Sequence, residues 1–202
     1  MHKETGSCGD YAVATLQANA NIPEGMGVDG FYHVECRDKD GNIKWEEKFP
    51  NLVVAVGKQL LLDTLLRTSG TYTTVGPFLG LTNASLTPAA TDTMTTLVGG
   101  GKEFTNYTVG GSPVRGTAVF SASTSTGATP SNVTTSSAAS ITYTITGAGG
   151  TVYGCFLVTG SGASSTQSNT SGTLYSEGNF STAKVTTAGD TVSVTYSTTA
   201  TS

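Results

Sequence analysis

A chain of 202 residues is long enough for one domain with a substantial core. Ten Lys and Arg against fourteen Asp and Glu give a net charge of −4, and no basic cluster supplies the grouped cations that phosphate backbones and anionic membranes require, so neither nucleic acid nor membrane is expected as a partner. Charge is also unevenly placed: seven of the ten Lys and Arg and ten of the fourteen Asp and Glu lie at or before Arg67, and beyond it only Asp92, Lys102, Glu103, Arg115, Glu177, Lys184 and Asp190 are ionised.

Residues 1–30 mix Gly, Asn, Ala and single charges and read as an N-terminal arm. They lack the apolar run of a secretory signal, and no segment reaches the roughly 20 apolar residues of a membrane span, so synthesis and retention in a cytosol are expected. The β-rich domain is placed at 31–202. It opens on a hairpin, "FYHVECR" (31–37) and "IKWEEKF" (43–49), turned by "DKDGN" with Gly41 free to take positive φ. Alternation puts Tyr32, Val34 and Cys36 on one face of the first strand; Ile43, Trp45 and Phe49 share a face of the second, interrupted by Glu47.

Pro50 ends that strand, and from Val53 to Leu66 apolar residues recur at three and four positions, predicting an amphipathic helix closed by "TSG" (68–70). Its stripe needs a partner, and the hairpin face is nearest. Ile43, Trp45, Phe49, Val56, Leu60, Leu61 and Leu65 are therefore the expected structural nucleus of the segment 31–67. Short strands follow over 77–197, at 77–82, 104–109, 117–122, 141–146, 152–159, 173–176, 183–187 and 191–197, with Gly, Ser, Thr and Asn between them. The expected fold is all-β with one short helix, an antiparallel β-sandwich or jelly-roll-like domain. The Ser/Thr/Gly-rich stretches 123–140 and 159–172 read as loops that are mobile unless a partner holds them.

Chemistry finds little support in the residues. His2 lies in the arm and His33 on a wet strand face; Glu46 and Glu47 point to opposite faces of one strand and cannot form a close dyad without a bulge. Asp38, Asp40 and Asn42 begin like a calcium loop, but Gly41 is misplaced for one and the closing Glu is missing, so a hairpin turn is the better reading. "LVGGGKEF" lacks the spacing of a phosphate loop. Cys8, Cys36 and Cys155 suggest neither a disulfide framework nor a metal set, and read as small buried hydrophobes. No enzyme, no metal and no cofactor is expected.

"GNIKWEEKFPNLVV" (41–54), "GKQLLLD" (57–63), "FLGL" (78–81), "DTM" (92–94), "GTLYSEGNFS" (172–181) and "GDTVSVTYS" (189–197) together resemble small tailed-bacteriophage virion proteins of the head decoration, or cement, type. The resemblance implies a β-rich homo-oligomer, dimer or trimer, on the outside of a phage capsid, bound to the major capsid protein and assembled in the host cytoplasm. It carries no catalytic residues. The alternative is a tail or head-fibre receptor-binding module attaching to a host surface glycan. If charge rather than apolar contact governed attachment to the capsid, the hairpin cations Arg37, Lys39, Lys44 and Lys48 would be the contacts.

Overall fold

The structure, a computed structural model, describes residues 27–67, 75–122, 131–133 and 140–201. The first 26 residues, with His2 and Cys8, the expected helix stop at 68–70 and most of the 123–140 loop lie outside the described residues.

Two antiparallel sheets pack face to face as the expected β-sandwich. Sheet A runs β2 (Ile43–Pro50), β1 (Gly27–Arg37), β12 (Thr191–Thr201), β9 (Ile141–Ile145), β6 (Tyr107–Thr108), with β8 (Ser131–Val133) also paired to β12. Sheet B runs β3 (Leu52–Val53), β11 (Thr173–Thr186), β10 (Gly150–Thr159), β4 (Phe78–Thr82), β5 (Glu103–Phe104), with β7 (Gly116–Thr117) also paired to β4. Period-two alternation fills the space between them. Tyr32, Val34 and Cys36 of β1, Ile141, Tyr143 and Ile145 of β9, and Val192, Val194 and Tyr196 of β12 meet Leu79, Leu81, Val152, Cys155, Leu157 and Phe180 of sheet B in one buried cluster.

Tyrosines supply much of the bulk of this core, and each needs a partner for its hydroxyl. Tyr143 donates to the Leu79 carbonyl across the sandwich at 2.7 Å, Tyr32 shares a 2.8 Å hydrogen bond with Ser176, and Asn51 donates to Tyr196 at 2.7 Å. The rings stack at an angle, Tyr32 against Tyr196 at 4.8 Å and Tyr107 edge-on to Tyr143 at 4.7 Å. Burial pushes the Cys36 thiol up to about 12, and the Cys155 thiol, equally buried, well above its ordinary value. Both behave as apolar filler.

The hairpin forms where expected. Gly41 takes φ +86°, and the Asp38 carboxylate accepts from the amides of Asp40 and Asn42, each at 2.9 Å. That turn is followed by a bulge: Cys36 faces Trp45, but Arg37 faces Ile43, so Lys44 is the extra residue. Directly paired residues share a face, so Ile43 joins outward-pointing Arg37 and is 52% exposed. The expectation that Ile43 lies beside Trp45 and Phe49 is corrected by that one inserted residue.

Helix α1 (Ala55–Leu66) also forms, but not on the hairpin. It packs against β11 on the outer side of sheet B. The segments read separately at 173–176 and 183–187 are one 14-residue strand, β11, whose second half supplies Phe180 to cover Trp45 and Phe49. The hairpin face is thus filled by a strand, and the helix is left outside. A second, smaller core lies there, where Val54, Leu86, Met94, Leu97 and Val98 cover Phe156, Val158 and Leu174. Met94 and Leu97 belong to the short helix α2 (Met94–Leu97).

Candidate interaction surface

Helix α1 touches the body of the molecule mainly through its first turn. The Val54 amide donates to the Tyr175 carbonyl at 3.1 Å and the Ala55 amide to the Ala90 carbonyl at 2.8 Å. Gly57 is its one buried residue, lying so close to Tyr175 that a Cβ would sit 2.5 Å from that residue's carbonyl oxygen. Val56 packs against the second core and Leu60 lies against Gly160. Beyond that turn the apolar stripe faces away: Leu61, Leu62, Leu65 and Leu66 are 37, 48, 81 and 69% exposed. They are neighbours at spacings of three and four, so they form one patch on one face of the helix. Of the expected nucleus, then, Phe49 is buried, Trp45, Val56 and Leu60 are half-buried, and Ile43, Leu61 and Leu65 are exposed. The leucine spacing gave the helix correctly; which way its stripe faces depended on what else competed for the hairpin.

The exposed area of the four leucines equals more than two whole leucine side chains. At about 1.5–3 kcal/mol for each fully buried leucine, covering it is worth roughly 4–7 kcal/mol.

The four hairpin cations are largely engaged within the chain. Arg37 forks onto Glu35 at 2.6 and 3.1 Å and donates to the Gly41 carbonyl. Lys39 lies 3.2 Å from Asp40. Lys44, re-aimed by the bulge, donates to buried Asp190 at 2.5 Å; this hydrogen bond raises the Lys44 pKa. Burial alone would raise Asp190, but Lys44 and the Thr187 amide outweigh it and hold the carboxyl below its ordinary range. Lys48 sits 4.9 Å over the Phe31 ring. A shallow groove of about 680 Å³ on the outer face of sheet A is lined by Phe31, His33, Glu46, Lys48 and Thr195, with His33 and Glu46 2.6 Å apart.

The scattered charges beyond Arg67 are the residues that sequence reasoning passed over. Arg115, 1% exposed, forks onto Glu103 with two 2.8 Å hydrogen bonds and also donates to the carbonyls of Ser164 at 3.0 Å and Asn169 at 2.7 Å. Glu103 accepts in addition from the Ser168 amide at 2.7 Å. The loop 159–172, expected to need a partner, is fastened by this buried pair. Lys184 pairs with Glu47 at 2.8 Å, which explains the acidic interruption of β2. Burial would raise Glu47, but Lys184 and the Ser181 amide hold it low. Asp92 and Glu177 line one small cavity, where their carboxyls shift each other, Asp92 down and Glu177 up. The available signal was rarity: an ionised residue in a segment otherwise made of Ser, Thr and Gly needs a reason to be there.

Among the described residues, no group of three or more His, Cys, Asp and Glu is placed to hold a metal, and no helix is long and apolar enough to cross a membrane. No family model, curated protein or solved structure matches the chain.

Proposed function

We propose that the chain is a structural virion protein that decorates the outside of a tailed-phage capsid and stabilises the head, and that the leucine face of α1 is its contact with the capsid protein. The observation carrying this reading is the gathering of four exposed leucines on two turns of one helix. A helix whose apolar side faces water is suited to burial against a partner. The motif resemblance to head decoration proteins supplies the kind of partner. Magnitude adds the oligomer: roughly 4–7 kcal/mol from the leucine face is comparable to the 4–15 kcal/mol cost of association, so one copy alone binds weakly. A dimer or trimer engaging several capsid subunits at once gains avidity without any deeper contact.

The test is co-sedimentation with DNA-filled heads, comparing wild type with Leu65→Ser/Leu66→Ser. The variant is expected to melt like wild type and to be lost from the heads. Wild-type attachment is expected to survive 1 M NaCl, where the Debye length is about 3 Å, and to fail in a few molar urea. Full binding by the double variant, or release of wild type well below 1 M salt, overturns the leucine contact.

A receptor-binding module attaching to a host surface glycan is the second reading, favoured by the open groove that sets the exposed Phe31 ring beside His33 and Glu46. Sedimentation with tails instead of heads, together with glycan binding lost in Phe31→Ala, would select it.

A further inference from the structure

Segment 83–98, between β4 and β5, lies over the outer face of sheet B and closes the second core with Leu86, Met94, Leu97 and Val98. Two side chains of β11 hold it. Asn179 clasps Leu86, accepting from its amide at 3.1 Å and donating to its carbonyl at 2.8 Å. Glu177, two residues earlier and 1% exposed, lines one small cavity together with Asp92. The second attachment joins two acids, which is unusual for a contact that holds a layer in place.

The hydrogen bonds around it resolve the difficulty. Asp92 already accepts from the Ala89 amide through Oδ2 at 2.8 Å, and its Oδ1 lies 3.3 Å from the Thr96 hydroxyl, which also lies 2.9 Å from the Thr93 carbonyl. Glu177 Oε1 is buried and has no hydrogen-bond donor among the described residues. A bare carboxylate there would be desolvated and beside a second negative charge, and the Ala89 amide and the Lys102 cation, which favour it, do not outweigh those two penalties. A carboxylic acid at Glu177 removes both penalties, because its own O–H donates to Asp92. The residues lining the same cavity of about 100 Å³ include Ser85, Thr87 and Lys102. Lys102 is the one cation among these lining residues, and it favours the charged form of Glu177 less than burial and Asp92 disfavour it.

We propose that Asp92 and Glu177 share one proton, and that this proton latches segment 83–98, and with it the start of α1, onto sheet B. The link to α1 is the turn that Asp92 stabilises. Its carboxylate caps residues 89–92, and the Ala90 carbonyl in that turn accepts the Ala55 amide at the first residue of the helix. Burial and the Asp92 carboxylate push Glu177 up to about 8, while Asp92, which burial alone would raise, is held low by its hydrogen bonds to Glu177 and Ala89. When the segment lifts, Glu177 is hydrated and titrates near the ordinary value of about 4.3. Opening therefore releases one proton to solvent between about pH 5 and the closed-state value of about 8. Across that interval each unit of rising pH favours the open form by up to about tenfold, and above it the effect levels off.

Hydrogen exchange of the full chain from pH 5.5 to 9, each rate divided by its intrinsic rate, tests the latch under conditions where exchange reports the opening equilibrium. In wild type the opening of amides in 83–98 is expected to rise about 50-fold from pH 6 to pH 8 and then flatten, while β1 and β12 amides stay level. Glu177→Gln keeps a donor facing Asp92 at every pH and is expected to give a flat profile. Asp92→Asn gives Glu177 an amide donor instead of a second carboxylate, should also flatten the profile, and decides the matter if the first variant does not fold. A flat wild-type profile, an undiminished slope in the folded variants, or a loss of protection spread equally over β1 and β12 overturns the proposal.

Discussion

Replacing Arg115 by methionine removes a buried side chain that makes four hydrogen bonds while keeping much of its apolar volume. Four hydrogen bonds go at once: two to Glu103, one to Ser164 and one to Asn169. The stacking of the guanidinium 5.3 Å from the Phe156 ring goes with them. What dominates is the charge left behind, because Glu103 is as buried as its partner. Breaking a buried pair from one side costs about 3–5 kcal/mol. For a domain of this size that lowers the melting temperature by about 10 °C. Urea unfolding, followed through Trp45, the single tryptophan, measures the cost. Limited proteolysis reports the location, since the loop 159–172 is expected to become the first site of cleavage. Adding Glu103→Leu to Arg115→Met is expected to recover part of the loss, because the orphaned charge is then gone. A loss below about 1 kcal/mol, or a double variant less stable than Arg115→Met alone, would show that the pair is not what fastens the loop.

Gly57→Ala raises helix propensity by about 1 kcal/mol, yet its Cβ would meet the Tyr175 carbonyl oxygen at 2.5 Å; the expected outcome is a net loss of about 1–3 kcal/mol from overpacking, seen as a lower melting temperature with reduced helical circular dichroism. Trp45→Ala is expected to cost about 2 kcal/mol, below the 3–5 of a fully buried aromatic, because the indole is only half-buried and meets Phe180 edge-on at 5.4 Å; urea titration checks it. Asp190 has a folded pKa below its unfolded one, so its stabilisation is present above an ordinary aspartate's value of about 3.9 and is lost as pH falls through the lower folded value. Asp190→Asn is therefore expected to be less stable than wild type at pH 7, with the difference shrinking by pH 2–3 in parallel urea titrations.

The longer strands and helix α1 were legible because they rest on local spacing, whereas the expected strand 104–109 divides between β5 and β6 in different sheets, that at 117–122 pairs only at its start in β7, β8 lies within the stretch read as a loop, and α2 is a second helix. Alternation in β9 and β12 marks the faces that are buried, Asp40-Gly41 marks a real turn, and the leucine spacing over 53–66 marks a real helix. Each of those signals is written within fourteen consecutive residues. Where each element docks is not, because it depends on competition between segments far apart in sequence. β11 reaches the hairpin with Phe180, 135 residues beyond Trp45, and takes the place the helix was expected to fill. One extra residue at Lys44 turns Ile43 outward and sends the lysine to Asp190, 146 positions away. The same holds for the sparse charges beyond Arg67. Their rarity is visible in the sequence, but their partners are chosen by burial: in water an isolated Arg115, Glu103 or Glu177 has no preference for any neighbour, and only when folding removes the water does an ionised or protonated group require a particular one. The sequence by itself determined the elements and which of their faces are apolar; the tertiary structure decided which faces met, and so left the leucines of α1 outside and put Asp92 against Glu177.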